Sequence, residues 1–526
     1  MADGAGGVER EVGQGPSRFV LPTLLVLAVT LLLYGWPVPR LSEELYLPLV
    51  KRVADPSYLR GDWTFGGSFG EHWLFDHLFA PIAGVLSIDA FGWLGRLVFW
   101  PILGFLLIKL GTRFGLRAWP AAFAIAFWLL SNQAFVGNEW ILGSFEAKTV
   151  AYVCLLGAFL AITKRRIPLG LALLGLTLSF HPAVGLWGAW ATGLALLALP
   201  ETRVRTLKWS WLAILLAIPG IVGALAAEGH ASAAMQRFVV LQAIPYHTDP
   251  FFGGETLAGW QVVLHVGVLA AMLAFNLWSY TRSDRGLTQR FFAAFQIAAA
   301  IPFALAYPAR ALDLWGYLRL MPLRSFPIFI PLIFFIQVFR FAAELSRRNG
   351  DERRERRRRG QRDATLVIAA ALAIAIFPTS PLLAAPRMIR RNYAAWTTVD
   401  HMARAFDWVR ENTPTDTRCI FPVDRQDAFD RSERPEIANW QAIPYDRLDE
   451  WKRRIDGLVG GSEYFAGSKY HGDLPKLRAA YNRLTTAQID ALAAKYHASC
   501  LVSETEYPYQ VIHRDGPVRV YALKPF

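Results

Sequence analysis

The stretch RRNGDERRERRRRGQR, Arg347 to Arg362, stands between two apolar runs, and its reading decides the fold. Concentrated arginine stays on the cytoplasmic side of a bilayer, so this segment fixes the direction in which each neighbouring apolar run crosses. The run that follows, Ala364 to Ala385, must then leave the cytoplasm, which puts Arg387 to Phe526 outside it. Counted backward, the same alternation places Arg10 and Arg18 inside and the long loop after the first apolar run outside.

Composition agrees with a membrane protein. A chain of 526 residues that is 54% hydrophobic, with mean hydropathy +0.27, is too apolar for an ordinary soluble enzyme. The apolarity is gathered in runs of about 16 to 22 residues, the length a bilayer requires. The formal charge of +13 sits in short clusters between those runs: Lys109, Arg113 and Arg117; Lys164 to Arg166; Arg203, Arg205 and Lys208; Arg282, Arg285 and Arg290. Clusters so placed face cytosol and anionic lipid, and nucleic acid is excluded as a partner.

The pattern predicts about eleven transmembrane helices. The first is Phe19 to Gly35, retained because Trp36, Pro37, Val38 and Pro39 offer no small-residue cleavage site. The others are Phe91 to Leu110, Ala118 to Phe135, Glu146 to Ile162, Ile167 to Phe180, Ala183 to Leu199, Trp209 to Ala227, Gly259 to Tyr280, Phe291 to Tyr307, Leu323 to Phe339 and Ala364 to Ala385. Trp73 to Ala90 is apolar but broken by Asp76, His77, Pro81 and Asp89, and reads as an interfacial helix. The expected organisation is a cytoplasmic tail (1–18), a transmembrane domain (19–386) whose first external loop is 36–90, and an external α/β domain (387–526).

In that external domain Val399 to Asn412 reads as a helix and Thr417 to Val423 as a strand. Thr485 and Gln488 form a capping box for a helix to Tyr496, Ala498 to Ser503 reads as a strand, and Asp515 with Gly516 turns a hairpin. The layer is Rossmann-like without a Gly-rich phosphate loop, so nucleotide binding is not indicated. Cys419 and Cys500 fall in apolar strands of this oxidisable domain and read as buried thiols ahead of a disulfide.

The first external loop carries the sequence LSEELYLPLVKRVADPSYLRGD, Leu41 to Asp62. Glu43, Glu44 and Asp62 are the candidate catalytic carboxylates, able to act as general base or, in the case of Glu44 and Asp62, to hold a divalent cation such as Mg or Mn if one is used. The bland alternative is a pair of solvated acids at a helix start; Asp55 reads as an Asp-Pro turn. Candidate phosphate partners near the headgroup plane are Lys148, Arg310, Arg319 and Arg324, against simple snorkelling; Glu146 opens a helix beside Lys148 and pairs with it or with substrate. His181, at the turn of a short hairpin, requires a polar partner, while His247 and Asp249 lie in a Gly- and aromatic-rich loop suited to covering a substrate.

Multi-span topology, acids in the first external loop followed by Tyr46, an interfacial helix there and a C-terminal external domain together resemble the GT-C superfamily of membrane glycosyltransferases. The segments DPSYLRGDW (55–63), GSFEAK (143–148), SFHP (179–182) and FDRSERP (429–435) look like a family of bacterial multi-pass proteins within that fold group, over nearly the whole chain. The loop departs from a strict Asp-x-Asp form. The resemblance implies a bacterial inner-membrane enzyme that moves a sugar, with inversion, from a polyprenyl-phosphate lipid to an extracytoplasmic acceptor, a first-loop carboxylate serving as base. A flippase for a lipid-linked sugar, a non-catalytic scaffold of a polysaccharide machine, and a polymerase or ligase using His230, Arg237 and His247 stay open as rivals.

Overall fold

The structure is a computed structural model that describes residues 16–40, 42–66, 70–131, 133–229, 231–252, 259–281, 286–325, 327–348, 384–467 and 470–524. The N-terminal tail before Pro16, His230, the basic segment from Asn349 onward and nearly all of the span expected at Ala364 to Ala385 lie outside the described residues.

Helix α1 (Val20–Tyr34) is followed by a short amphipathic α2 (Glu43–Ala54) and α3 (Trp73–Ala83), then by α4 (Ile88–Arg113), α5 (Ala118–Leu130), α6 (Ala147–Thr163), α7 (Ile167–Phe180), α8 (Pro182–Ala198) and α9 (Pro200–Ala227). After the short α10 (Ala233–Phe238) and α11 (Pro245–Thr248) come α12 (Gly259–Thr281), α13 (Leu287–Ala311), the short α14 (Trp315–Arg319) and α15 (Phe329–Arg348). Among the described residues, six helical stretches are long and apolar enough to cross a membrane, and α5 to α8 are shorter apolar helices. Helices suit an apolar medium because each satisfies its own backbone hydrogen bonds.

The bundle has two chemically different ends. At one, Arg113 donates to the Thr163 carbonyl (2.7 Å), Arg290 pairs with Glu201 (2.6 Å), and Lys109 lies 4.0 Å over the Phe19 ring. The other is set by α7 and α9, which touch backbone to backbone: a Cβ on Gly220 would stand 2.2 Å from the Leu178 carbonyl oxygen. Ser179 locks the contact, donating to the Leu216 carbonyl (2.5 Å) and accepting the Gly220 N–H (3.3 Å). His181 is thereby held at the end of α7 opposite Lys164 to Arg166, about 21 Å along the helix.

Helix α16 (Ala384–Thr397) runs along α1, where Asn392 donates to the carbonyls of Leu31 and Leu32 (both 2.9 Å) and Trp396 to that of Gly35 (2.8 Å). The expected domain boundary at residue 387 therefore falls inside a helix. The rest of the C-terminal domain comprises α17 (His401–Asn412), β1 (Cys419–Ile420), α18 (Ala428–Ser432), α19 (Leu448–Leu458), α20 (Leu474–Tyr481), α21 (Thr486–Tyr496), β2 (Cys500–Ser503), β3 (Gln510–Asp515) and β4 (Val518–Ala522). The strand order is β1-β2-β4-β3, with β1 parallel to β2 and the other pairs antiparallel. The capping box at Thr485 and Gln488 and the hairpin turn at Gly516 (φ +55°) are present.

Four expectations need correction. Cys419 and Cys500 form a disulfide, their Cα atoms 4.6 Å apart, because the parallel pairing of β1 and β2 sets them side by side. The strand expected at Thr417 to Val423 is two residues long. The helix expected over Trp73 to Ala90 ends at Ala83, and Asp89 instead lies in the first turn of α4, behind the capping hydroxyl of Ser87 (3.2 Å from the Ala90 nitrogen). Helix α9 begins at Pro200, so Arg203, Arg205 and Lys208 are helical and not in a loop.

The C-terminal domain is keyed into the bundle by the segment after α10. Val239 to Ala243 forms one π-helical turn, and Val239, Ala243 and Ile244 are buried in the same core as Trp440, Trp451 and Phe465. Gln242 accepts the His471 N–H (2.9 Å), and Gly472 is packed so tightly that a Cβ would stand 2.1 Å from the Gln242 carbonyl oxygen.

Candidate functional site

The junction of bundle and C-terminal domain encloses a cavity of about 1000 Å³. One wall is apolar: Leu178, Ala183, Leu186, Ile221, Leu225 and Leu320, from α7, α8, α9 and the turn after α14. Leu225 and Leu320 are 70% and 49% exposed, so this wall opens sideways from the bundle. A second wall, from the C-terminal domain, presents Gln441, Tyr445, Tyr470 and Asp473. Between them lie Tyr46, Glu71, His72, His181, His247, Arg319 and Arg324.

Not all the predicted residues reach this cavity. Glu43 is fully buried and faces the wrong way: its Oε1 accepts from Arg96 Nε (2.8 Å) and from the Phe145 N–H, while Arg96 Nη2 and the Arg40 N–H (3.2 Å) reach Oε2. Arg96 also donates to the carbonyls of Trp36 (2.6 Å) and Val38 (3.2 Å). Glu43 is thus the anchor that ties α2 to α4. Asp62 is likewise spent on backbone, Oδ1 accepting the Phe65 N–H (3.1 Å) and Oδ2 the Glu436 N–H (2.9 Å) of the C-terminal domain.

Glu44 turns toward the C-terminal domain. Its Oε1 lies 3.5 Å from Arg40 Nη1, and burial, reinforced by the charge of Asp427, pushes its carboxyl up to about 8. Asp427 is held below the usual range, despite its own burial, by the Arg425 guanidinium that also binds Asp400 (3.0 Å). Glu44 and Asp62 have different partners, and among the described residues no group of three or more His, Cys, Asp or Glu is arranged to hold a metal ion. The residues expected to hold a divalent cation do not fit one.

The predicted cations divide in the same way. Lys148 is buried between Glu139 (3.2 Å) and Glu146 (3.5 Å), over the Trp140 ring (3.4 Å); Glu146 also accepts from the Ser144 hydroxyl (2.8 Å). Arg310 pairs with Asp249 (3.4 Å) and Asp313 (3.7 Å) beside Trp315, off the cavity wall, so neither Arg310 nor Asp249 lines it. Arg319 does line it, 2.8 Å from Glu228. Arg324 sets Nε 3.0 Å from Glu139 Oε2 and donates through Nη2 to His247 Nε2 (2.5 Å). His247 Nδ1 is 2.6 Å from the Gly137 carbonyl, so the neutral ring donates there and accepts from Arg324.

His181 both caps α8, Nδ1 accepting the Val184 N–H (3.3 Å), and lies 4.9 Å, ring to ring, from His72. His72 and Glu71 are the residues that sequence reasoning missed. They form the turn before α3 (Gly70–His72), and Tyr46 meets the His72 ring edge-on at 4.7 Å. Burial pushes Glu71 up to about 7, with Arg324 pulling the other way, and burial pushes His72 down to about 3. Glu71 is thus the first-loop carboxylate on the cavity wall, poised near neutrality, where a general base works best. The available signal was the polar triplet Gly70-Glu71-His72 directly before an aromatic helix start, which resembles an ordinary N-terminal turn.

Residues 400–458 match a family profile described as a domain of unknown function (DUF6798). No curated protein matches the sequence. Among solved structures, the archaeal oligosaccharyltransferase AglB from Archaeoglobus fulgidus, in complex with an inhibitory peptide and a dolichol-phosphate, is similar over 93% of this chain and 69% of its own, with 13% identity and a TM-score of 0.50. The same organism's oligosaccharyltransferase tethered to an acceptor peptide gives 15% identity and 0.50 over 93% and 68%. ArnT from Cupriavidus metallidurans bound to undecaprenyl phosphate gives 14% identity and 0.41 over 96% and 97%. With an oligosaccharyltransferase likeness running through bundle and C-terminal domain alike, this chain is a multi-pass membrane protein of the GT-C fold.

Proposed function

We propose that this chain is a glycosyltransferase that moves a sugar from a polyprenyl-phosphate-linked donor to an acceptor hydroxyl outside the cytoplasm. The observation that carries the reading is the cavity itself, where a laterally open apolar wall, a half-buried carboxylate and two arginines meet. The apolar wall suits a polyprenyl chain, and the AglB structure that shares the fold is described as holding a dolichol-phosphate.

In the proposed reaction Glu71 takes the proton of the acceptor hydroxyl. The oxygen attacks the anomeric carbon on the face opposite the phosphate, the carbon–oxygen bond to phosphate breaks, and the electron pair leaves on the lipid phosphate with inversion. Arg324, oriented by Glu139 and His247, receives the growing negative charge. The orientation is supported by chemistry at both ends: the basic residues gather opposite the cavity, as cytoplasmic loops require, and the Cys419–Cys500 disulfide belongs to an oxidising compartment.

The test is transfer by the purified chain from a panel of polyprenyl-phosphate sugars, labelled in the sugar, to membrane glycan and glycolipid acceptors. E71Q should lower turnover by about 100-fold or more. Wild-type turnover in E71Q removes the assigned base, and label that crosses a vesicle bilayer still attached to its lipid supports the flippase instead.

A further inference from the structure

The cavity is poor in positive charge for a site that must hold lipid phosphate. Among its described lining residues the cations are Arg319 and Arg324, and three carboxylates, Glu71, Glu228 and Asp473, share the wall with them. Both arginines already face a carboxylate, Arg319 at 2.8 Å from Glu228 and Arg324 at 3.0 Å from Glu139. Behind Arg324, Lys148 is divided between Glu139 and Glu146. The imidazoles do not redress the balance, since the hydrogen bonds of His247 require its neutral form and burial keeps His72 uncharged.

We propose that the donor is a phosphodiester, with a single phosphate between sugar and polyprenol, and not a diphosphate-linked sugar. The inference rests on the glycosyltransferase reading above. A second phosphate would bring at least one more full charge into a partly dehydrated cavity whose wall is already net negative, where an uncompensated anion is costly. One arginine fork, with Nη2 donating to His247 and the guanidinium 3.0 Å from Glu139, matches one phosphate.

The charge balance of the reaction agrees. A phosphodiester carries one negative charge, and the polyprenyl monophosphate that leaves carries up to two. In the same step Glu71 gains the acceptor proton and loses its charge, so the wall gives up one negative charge as the phosphate acquires one. The cavity therefore needs no additional cation to reach products. A diphosphate donor would start one charge further from balance and remain there.

The experiment uses the full-length chain in detergent micelles, titrated with undecaprenyl phosphate, undecaprenyl diphosphate and uncharged undecaprenol, with intrinsic tryptophan fluorescence as the readout. The monophosphate should bind about 10-fold tighter than either of the others. R324Q should bring it to the level of undecaprenol, R324K should weaken it less because the charge is kept while the fork is lost, and E228Q should narrow the gap by strengthening the diphosphate. Equal or tighter binding of the diphosphate to the wild-type chain overturns this inference and leaves the glycosyltransferase reading standing. Phosphates that bind no better than undecaprenol overturn the reading of the cavity as a donor site. Should R324Q aggregate, R324K and E228Q decide the matter.

Discussion

Two carboxylates of one loop, Glu43 and Glu71, meet arginines in opposite ways. Glu43 and Arg96 are both buried, and every polar edge between them is filled, by each other and by the backbone around Trp36, Val38, Arg40 and Phe145. Glu71 lines a cavity within the electrostatic reach of Arg324, with no direct ion pair to it among the described residues. A charge whose partners are all supplied by the protein can only hold structure. A charge left facing a cavity retains capacity for a substrate, and the surrounding low dielectric tunes it.

The largest expected effect breaks the structural member of the pair. E43Q or R96M alone leaves a buried charge without its partner and should cost about 3–5 kcal/mol, read as a drop in thermal midpoint of the detergent-solubilised chain. The double change E43L/R96M should recover much of that loss. Equal loss in the singles and the double would show that the ion pair is not what anchors α2 to α4.

His181 sharpens the contrast, because it both caps a helix and lines the cavity. H181N keeps a side-chain acceptor for the Val184 N–H, and should leave stability within about 0.5 kcal/mol while lowering turnover by roughly 10-fold. Loss of stability with unchanged turnover would reduce it to a cap.

Glu44 is the intermediate case, acidic, buried and at the seam with the C-terminal domain. Its carboxyl is raised to about 8 in the folded chain, so the folded state binds its proton more tightly than the unfolded state does. The stabilising contribution is then fully present below the unfolded value near 4.5 and is lost as pH rises through about 8. E44Q should match the wild-type thermal midpoint near pH 5 and exceed it at pH 8 by on the order of 2 °C. A midpoint gap that does not change between those pH values would contradict the assignment.

Much of the bundle was legible because apolar runs and basic clusters report the solvent around each segment, and that is local information. The helix with Thr485 and Gln488, the hairpin at Gly516 and the turn at His181 were legible for the same reason: each cap or turn lies within a few residues of its partner. The roles of the acids were not. Asp62 is claimed by the backbone of Glu436, Glu43 by Arg96 and Phe145, and Arg324 is oriented by Glu139 and His247, partners that only the folded chain assembles. Cys419 and Cys500 are 81 positions apart and meet only through a parallel strand pairing. Among several acids of a single loop, nothing local distinguishes the one left facing the cavity.

The central claim is that Glu71, and not Glu43, is the working carboxylate, and the pH dependence of kcat/KM for sugar transfer tests it most directly. The wild-type chain should show a rising limb with an apparent pKa near 7, the value to which burial lifts Glu71, since the base acts only when deprotonated. E71Q should remain folded, fall by about 100-fold or more and lose that limb. A folded E71Q that retains the wild-type rate, or the same limb, would contradict the account.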